Sequence, residues 1–141
     1  MRLIITQAQA IRAASSYADE YDVPWIGVER VQTFREWWPQ AYEFDIDTGG
    51  EGRAVATVGL PFRGVERFEF RPRDPDRFWL PLWAAFPRFP AGTMAWRDGS
   101  GGVYMGDWFR WFNSLPAERQ KAYRARFPAP VRWSGFYDWY K

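Results

Sequence analysis

Residues 42–58, YEFDIDTGGEGRAVATV, decide the fold. Tyr42, Phe44 and Ile46 alternate with Glu43, Asp45 and Asp47, so an extended chain turns its apolar side chains to one face and its carboxylates to the other. Gly49, Gly50 and Gly52, with Glu51 among them, supply the backbone freedom of a hairpin turn. The segment Ala54 to Val58 then resumes as a second strand. Two half-buried antiparallel strands follow, each with one wet face and one dry face.

Working outward, Ile26, Val28 and Arg30 fall on one face of an earlier strand, separated from Tyr42 by Trp37-Trp38-Pro39. On the other side, Pro61 to Gly64 turns the chain into a fourth strand, Val65 to Phe70. Ahead of the sheet, Thr6-Gln7-Ala8-Gln9 has the form of a capping box, and Ala10, Ile11, Ala14, Tyr17, Ala18 and Tyr21 recur at spacings of three and four. This predicts a helix whose alanines allow close approach to a sheet and which Pro24 ends.

The second half reads differently. Arg71-Pro72-Arg73-Asp74-Pro75-Asp76 is a turn-rich junction, too short for a domain linker. Phe78 to Phe86 is expected as a short helix interrupted at Pro81, with loops at Pro87 to Gly92 and at Gly99-Ser100-Gly101-Gly102. Tyr104, Trp108, Trp111 and Leu115 share one helical face, with Met105, Phe109 and Phe112 beside it. Pro116 opens a last helix and Pro128 closes it. The aromatic tail, Trp133 to Tyr140, is expected to pack back on the domain, since an exposed run of this kind would be adhesive. The fold class is therefore α+β: an N-terminal helix on a four-stranded antiparallel sheet, residues 1–70, with a helical, aromatic-rich C-terminal half, residues 71–141. Both are read as parts of one domain, a usual arrangement for a chain of 141 residues.

Composition limits the chemistry. Ten Trp, seven Tyr and twelve Phe share the chain with no His and no Cys. Without the side chain that titrates near neutrality and without the readiest thiol nucleophile, most acid–base, thiol and zinc chemistry is excluded. Binding without catalysis, and without a cofactor or metal, is the expectation. Residues 1–70 carry 7 Arg against 11 Asp or Glu, a net −4, whereas residues 71–141 carry 12 Arg or Lys against 6 Asp or Glu, a net +6. Seventeen of the nineteen basic residues are arginine, which forks onto carboxylates and stacks on aromatic rings. Met1 to Ile5 is too short an apolar run for a secretory signal, and no stretch approaches the roughly 18 apolar residues of a membrane span. A cytoplasmic protein without a membrane partner is expected.

Three constellations compete for function. Glu43, Asp45, Asp47 and Glu51 could act as paired carboxylates if an aromatic groove enclosed them, as in a carbohydrate-active enzyme; a solvated strand face explains the same alternation. Gly99 to Gly102 after Arg97 could cradle an anion, but no Walker lysine follows, and Ser100 has no histidine to activate it. Trp96-Arg97 and Trp108-Phe109-Arg110-Trp111 mix aromatic and guanidinium groups as a single-stranded nucleic-acid platform does, although no nucleic-acid signature accompanies them. The same residues serve a protein interface, where Trp, Tyr and Arg supply most of the binding energy. Nucleic acid is not expected as the main partner.

The helix from Thr6 to Tyr21, Val23-Pro24-Trp25 and the strands ending in Gly64-Val65-Glu66-Arg67-Phe68-Glu69-Phe70 resemble small bacterial immunity proteins of polymorphic-toxin and type VI secretion systems. The second half, through Trp79-Leu80-Pro81-Leu82-Trp83, Met94 to Gly101 and Phe127 to Tyr137, is similar to a recurrent bacterial segment. The resemblance implies a cystatin-like or nuclear-transport-factor-like arrangement of helix and sheet. It also implies an antitoxin that covers or distorts one cognate toxin, with no catalytic residue of its own. On that reading Glu43, Asp45, Asp47, Glu51, Trp96, Arg97, Trp108, Arg110 and Trp111 are the candidate contacts. The acidic face would imitate nucleic acid before a nuclease, and the Arg-rich half would meet a toxin with an acidic rim.

Overall fold

A computed structural model describes residues 5–34, 41–59 and 64–139. The chain is α+β and divides into two compact units, Met1–Leu80 with Ala84–Pro87, and Pro81–Trp83 with Arg88–Lys141.

The first unit holds helix α1 (Gln7–Glu20) and strands β1 (Gly27–Phe34), β2 (Ala41–Asp47), β3 (Gly52–Gly59) and β4 (Gly64–Pro72), joined in the order β1-β2-β3-β4 with every neighbouring pair antiparallel. The capping box forms: Thr6 N–H donates to Gln9 Oε1 at 2.9 Å and Gln9 N–H to Thr6 Oγ1 at 3.1 Å. The helix stops four residues before Pro24. Asp22 takes a left-handed φ of 55°, and the Val23 and Asp22 amides bond back to the carbonyls of Ala18 and Asp19, so a Schellman closure ends it before the proline can. Ala10, Ala14 and Ala18 are fully buried against the sheet, where they leave space for Tyr17 to lie 5.4 Å from the ring of Phe68.

Alternation in β2 holds as expected, with Tyr42, Phe44 and Ile46 buried. They meet Ala54, Ala56 and Val58 of β3 and Phe68 and Phe70 of β4 to form the inner face. The turn forms at positive φ in Gly49 (69°), Gly50 (84°) and Gly52 (139°). Gly52 is obligatory in a second sense, because a Cβ there would meet the Arg71 carbonyl oxygen at 2.4 Å.

β1 departs from its expected pattern. Val28 pairs with Ile46 but Arg30 pairs with Asp45, so Glu29 is an extra residue in a β-bulge. The bulge sends Val28 and Arg30 to opposite faces. Ile26 precedes the strand and is 69% exposed. Trp37-Trp38-Pro39 and the turn at residues 61–63 lie outside the described residues.

In the C-terminal part, only Leu82–Ala85 is helical (α2) within the stretch expected from Phe78 to Phe86. Pro81 accounts for this, since it biases Leu80 away from helical ψ and is itself accepted only at a helix start.

The second unit is built on α3 (Gly99–Ser114) and α4 (Ala117–Arg126) with three short 3₁₀ turns, Met94–Trp96, Val131–Trp133 and Phe136–Asp138. The expected loop at Gly99-Ser100-Gly101-Gly102 is instead the first turn of α3. Packing forces the exchange: a Cβ on Gly101 would sit 2.7 Å from the Phe89 ring, and one on Gly102 would sit 2.9 Å from the Arg97 carbonyl oxygen. Gly101, Tyr104, Trp108 and Phe112 form the buried stripe of α3. Trp108 stacks on Phe112 at 4.8 Å and donates its indole N–H to Tyr123 Oη at 3.1 Å, and Phe136 from the aromatic tail packs 5.3 Å away. Tail residues Trp133 and Phe136 are buried, so the tail does fold back on its own unit.

Candidate functional site

The outer face of the sheet gathers the charges that alternate with the core residues. The bulge in β1 and the register of the other strands line up Arg30, Asp45, Val55 and Glu69 in one cross-strand row and Gln32, Glu43, Thr57 and Arg67 in the next. Arg53 and Arg71 face each other across β3 and β4. Arg30 Nε lies 3.7 Å from Asp45 and Arg67 3.6 Å from Glu43; the first pair is open to water, whereas the second is largely covered. Glu69 is the exception, only 7% exposed. Its carboxylate is held by Arg67 on one side and by Arg71, at 3.3 Å, on the other. Burial of that carboxylate is tolerable because two guanidiniums replace its lost water. Arg71 also lies 5.3 Å from the centroid of the Trp79 ring, an arrangement that stiffens the edge of the face.

Two shallow recesses open on this face. One, of about 310 Å³, is bordered by Arg30, Glu43, Asp45, Arg53 and Arg67; the other, of about 300 Å³, lies beside Asp45, Asp47, Thr48 and Gly50. Arg53 borders both and makes no ion pair among the described residues. Glu51 stands apart in the hairpin turn, exposed. Asp47 is partly engaged, since its Oδ1 accepts the Gly49 amide at 2.9 Å.

This placement bears on the paired-carboxylate chemistry. Glu43 and Asp45 do share a recess, but among the described residues no aromatic ring borders it and each carboxylate faces an arginine. A glycosidase encloses its sugar between two carboxyl groups in a groove, and this recess, bordered by arginines, supplies no aromatic platform for one among the described residues. The same arginines cancel the run of negative charge that imitation of a nucleic-acid backbone would require. Among the described residues no group of three or more acidic side chains is placed to hold a metal ion.

The second unit separates the other candidates. Trp108 is completely buried, so its ring belongs to the core and not to a contact surface. Trp111 is half-buried, packed 5.3 Å from Tyr123, and Arg110 is exposed and paired with Asp107 one helical turn away. Trp96 and Arg97 come together at a pocket of about 240 Å³ whose other walls include Met105, Trp133, Phe136 and Trp139. The glycine turn of α3 offers little to an anion, because Asp98 at its N-cap already carries negative charge and Gly102 closes onto the Asp98 carbonyl at 3.3 Å.

Sequence reasoning missed Arg53, Arg67, Glu69 and Arg71 as parts of the charged face. The alternation Arg67-Phe68-Glu69-Phe70-Arg71 carried that signal for β4, whereas the bulge that brings Arg30 to Asp45 left no local mark. No helix among the described residues is long and apolar enough to cross a membrane. Comparison with family models, with curated proteins and with solved structures gives no match for this chain.

Proposed function

We propose that this protein is an immunity protein, which binds a cognate toxin one to one and blocks it, with the outer face of the sheet as its contact surface. The observation that carries the reading is the mosaic of opposite charges in register across four strands on the outer face, with Arg53, between two recesses, making no ion pair among the described residues. A rigid sheet holds such a mosaic at fixed spacing. Fixed alternating charges penalise every partner whose own pattern is out of register, so they supply specificity and speed of encounter more than raw adhesion. The lack of His and Cys supports a role that needs no reacting side chain.

The partner that fits carries interleaved acidic and basic groups, with a carboxylate set to meet Arg53. A nuclease groove, uniformly basic, fits less well than the sequence alone implied, because Arg30 and Arg67 offset Asp45 and Glu43. Co-expression with the product of the neighbouring gene tests the proposal. Rescue of growth and a stoichiometric complex are expected, and Arg53→Glu should weaken the complex by about tenfold or more while leaving the fold intact. Absence of both rescue and copurification sinks the immunity reading; a complex insensitive to Arg53→Glu moves the contact surface elsewhere.

A further inference from the structure

The pocket of the second unit is built differently from the charged sheet face. Trp96, Trp133, Trp139, Phe136 and Met105 supply apolar walls, and Arg97 supplies a positive charge. The walls are set before any ligand arrives: Trp96 and Trp133 meet edge to face at 5.5 Å, Trp133 and Phe136 likewise at 5.6 Å, and Trp139 stacks beside Trp133 at 6.1 Å with the rings inclined by 27°. Two potential donors at the site are already used, because Trp96 Nε1–H and the Thr93 hydroxyl both donate to the Pro90 carbonyl, each at 3.0 Å.

Arg97 is not used. It is exposed and makes neither an ion pair nor a side-chain hydrogen bond among the described residues, although Asp98 follows it in sequence. A guanidinium left unmatched beside an aromatic pocket selects for an anion attached to something apolar. Size narrows the choice further. A dry cavity of about 150 Å³ accepts a single benzene ring, so this pocket, of about 240 Å³, has space for one ring system with a short acidic arm.

We propose that Trp96, Trp133, Trp139, Phe136, Met105 and Arg97 form a binding site for an aromatic carboxylate, with the ring held among the indoles and the carboxylate forked onto Arg97. The chemistry is the same for a free aromatic acid and for a polypeptide that ends in an aromatic residue, whose terminal carboxylate stands next to its ring. The site is independent of the toxin-binding reading, which concerns the sheet face.

Titration of the full chain, followed by tryptophan fluorescence and calorimetry, distinguishes these sources. Phenylacetate and indole-3-acetate are one arm, and N-acetylated hexapeptides ending in Trp or Phe are the other. The methyl esters and the peptide amides serve as neutral twins. Saturable one-to-one binding of the acids, with the neutral twins weaker by about tenfold, is expected, and Arg97→Gln should abolish that preference. Preference for the peptides over the free acids assigns the source to a chain terminus and supports the site equally. Met105→Trp, which fills the pocket without removing a wall, should block both arms. Equal affinity for acids and neutral twins, retention of the preference in Arg97→Gln, or no saturable binding in either arm overturns the proposal.

Discussion

Glu69 shows how one residue can serve a surface from beneath it. Its carboxylate is nearly sealed, yet it fixes Arg67 and Arg71, and Arg67 in turn faces Glu43. Removing it leaves two guanidiniums side by side without their shared counter-charge. Because both arginines keep partial access to water, the loss is smaller than for a deeply buried pair: Glu69→Ala should lower stability by about 2 kcal/mol in urea unfolding. Glu69→Gln keeps the shape and one acceptor oxygen, while its amide NH2 cannot accept from the second guanidinium, so it should lose less than Glu69→Ala but still lose stability. Equal stability of both variants and wild type would mean that the arginines find water or Glu43 at no cost.

At the scale of the element, α3 contains two glycines whose meanings are opposite. Gly101 lies in the buried stripe, and a methyl group there would press into the Phe89 ring and lie 3.0 Å from the Ala95 carbonyl oxygen. Gly106 lies on the exposed side with nothing within 4 Å of the same position. Gly101→Ala should therefore destabilise by about 1–3 kcal/mol through overpacking, despite alanine's better helix propensity. Gly106→Ala should stabilise by roughly 1 kcal/mol, since only the backbone-entropy term remains. The urea midpoints of the two variants should move in opposite directions. The sheet teaches a related lesson. The period of two in Tyr42, Phe44 and Ile46 was readable because each residue obeys it alone, but the bulge at Glu29 is a property of the pair β1–β2 and appears only once Ile46 and Asp45 have chosen their partners. The same holds for the glycines of α3: Gly99-Ser100-Gly101-Gly102 reads as a loop until Phe89, Ala95 and Arg97 are found crowding the helix it begins.

For the whole molecule, the absence of His and Cys leaves no side chain that ordinarily titrates between about pH 5 and 8. The unfolding midpoint should accordingly stay level from about pH 6 to 9. A slope through neutrality would reveal a displaced carboxyl or ammonium group. The alkaline side is different. Burial pushes the Tyr123 hydroxyl well above the ordinary tyrosine value of 10.0, reinforced by Tyr104 and partly offset by the hydrogen bond from Trp108. Burial also raises Tyr137, with Arg124 pulling the other way. In the unfolded chain both hydroxyls lose their protons near pH 10, while the folded chain keeps them. The stabilisation they confer is thus complete below that pH and drains away above it, with a slope approaching ~1.4 kcal/mol per pH unit for Tyr123. Tyr123→Phe should shallow this alkaline limb, and should also cost stability at neutral pH because Trp108 loses the acceptor of its indole N–H.

The division between sequence and tertiary structure follows from these cases. Local rules acting within a few residues, such as the capping box at Thr6, the alternation in β2, the glycines of the hairpin and the prolines that bound the last helix, determined the α+β class and the sheet order. Composition determined which chemistry is absent and where along the chain the arginines and indoles lie. Tertiary structure alone decided which charges meet. It set Arg30 beside Asp45 and joined Trp96 and Arg97 to Trp133 and Trp139. Those pairings depend on strand register and on chain segments tens of residues apart, and neither is encoded in any short stretch of sequence.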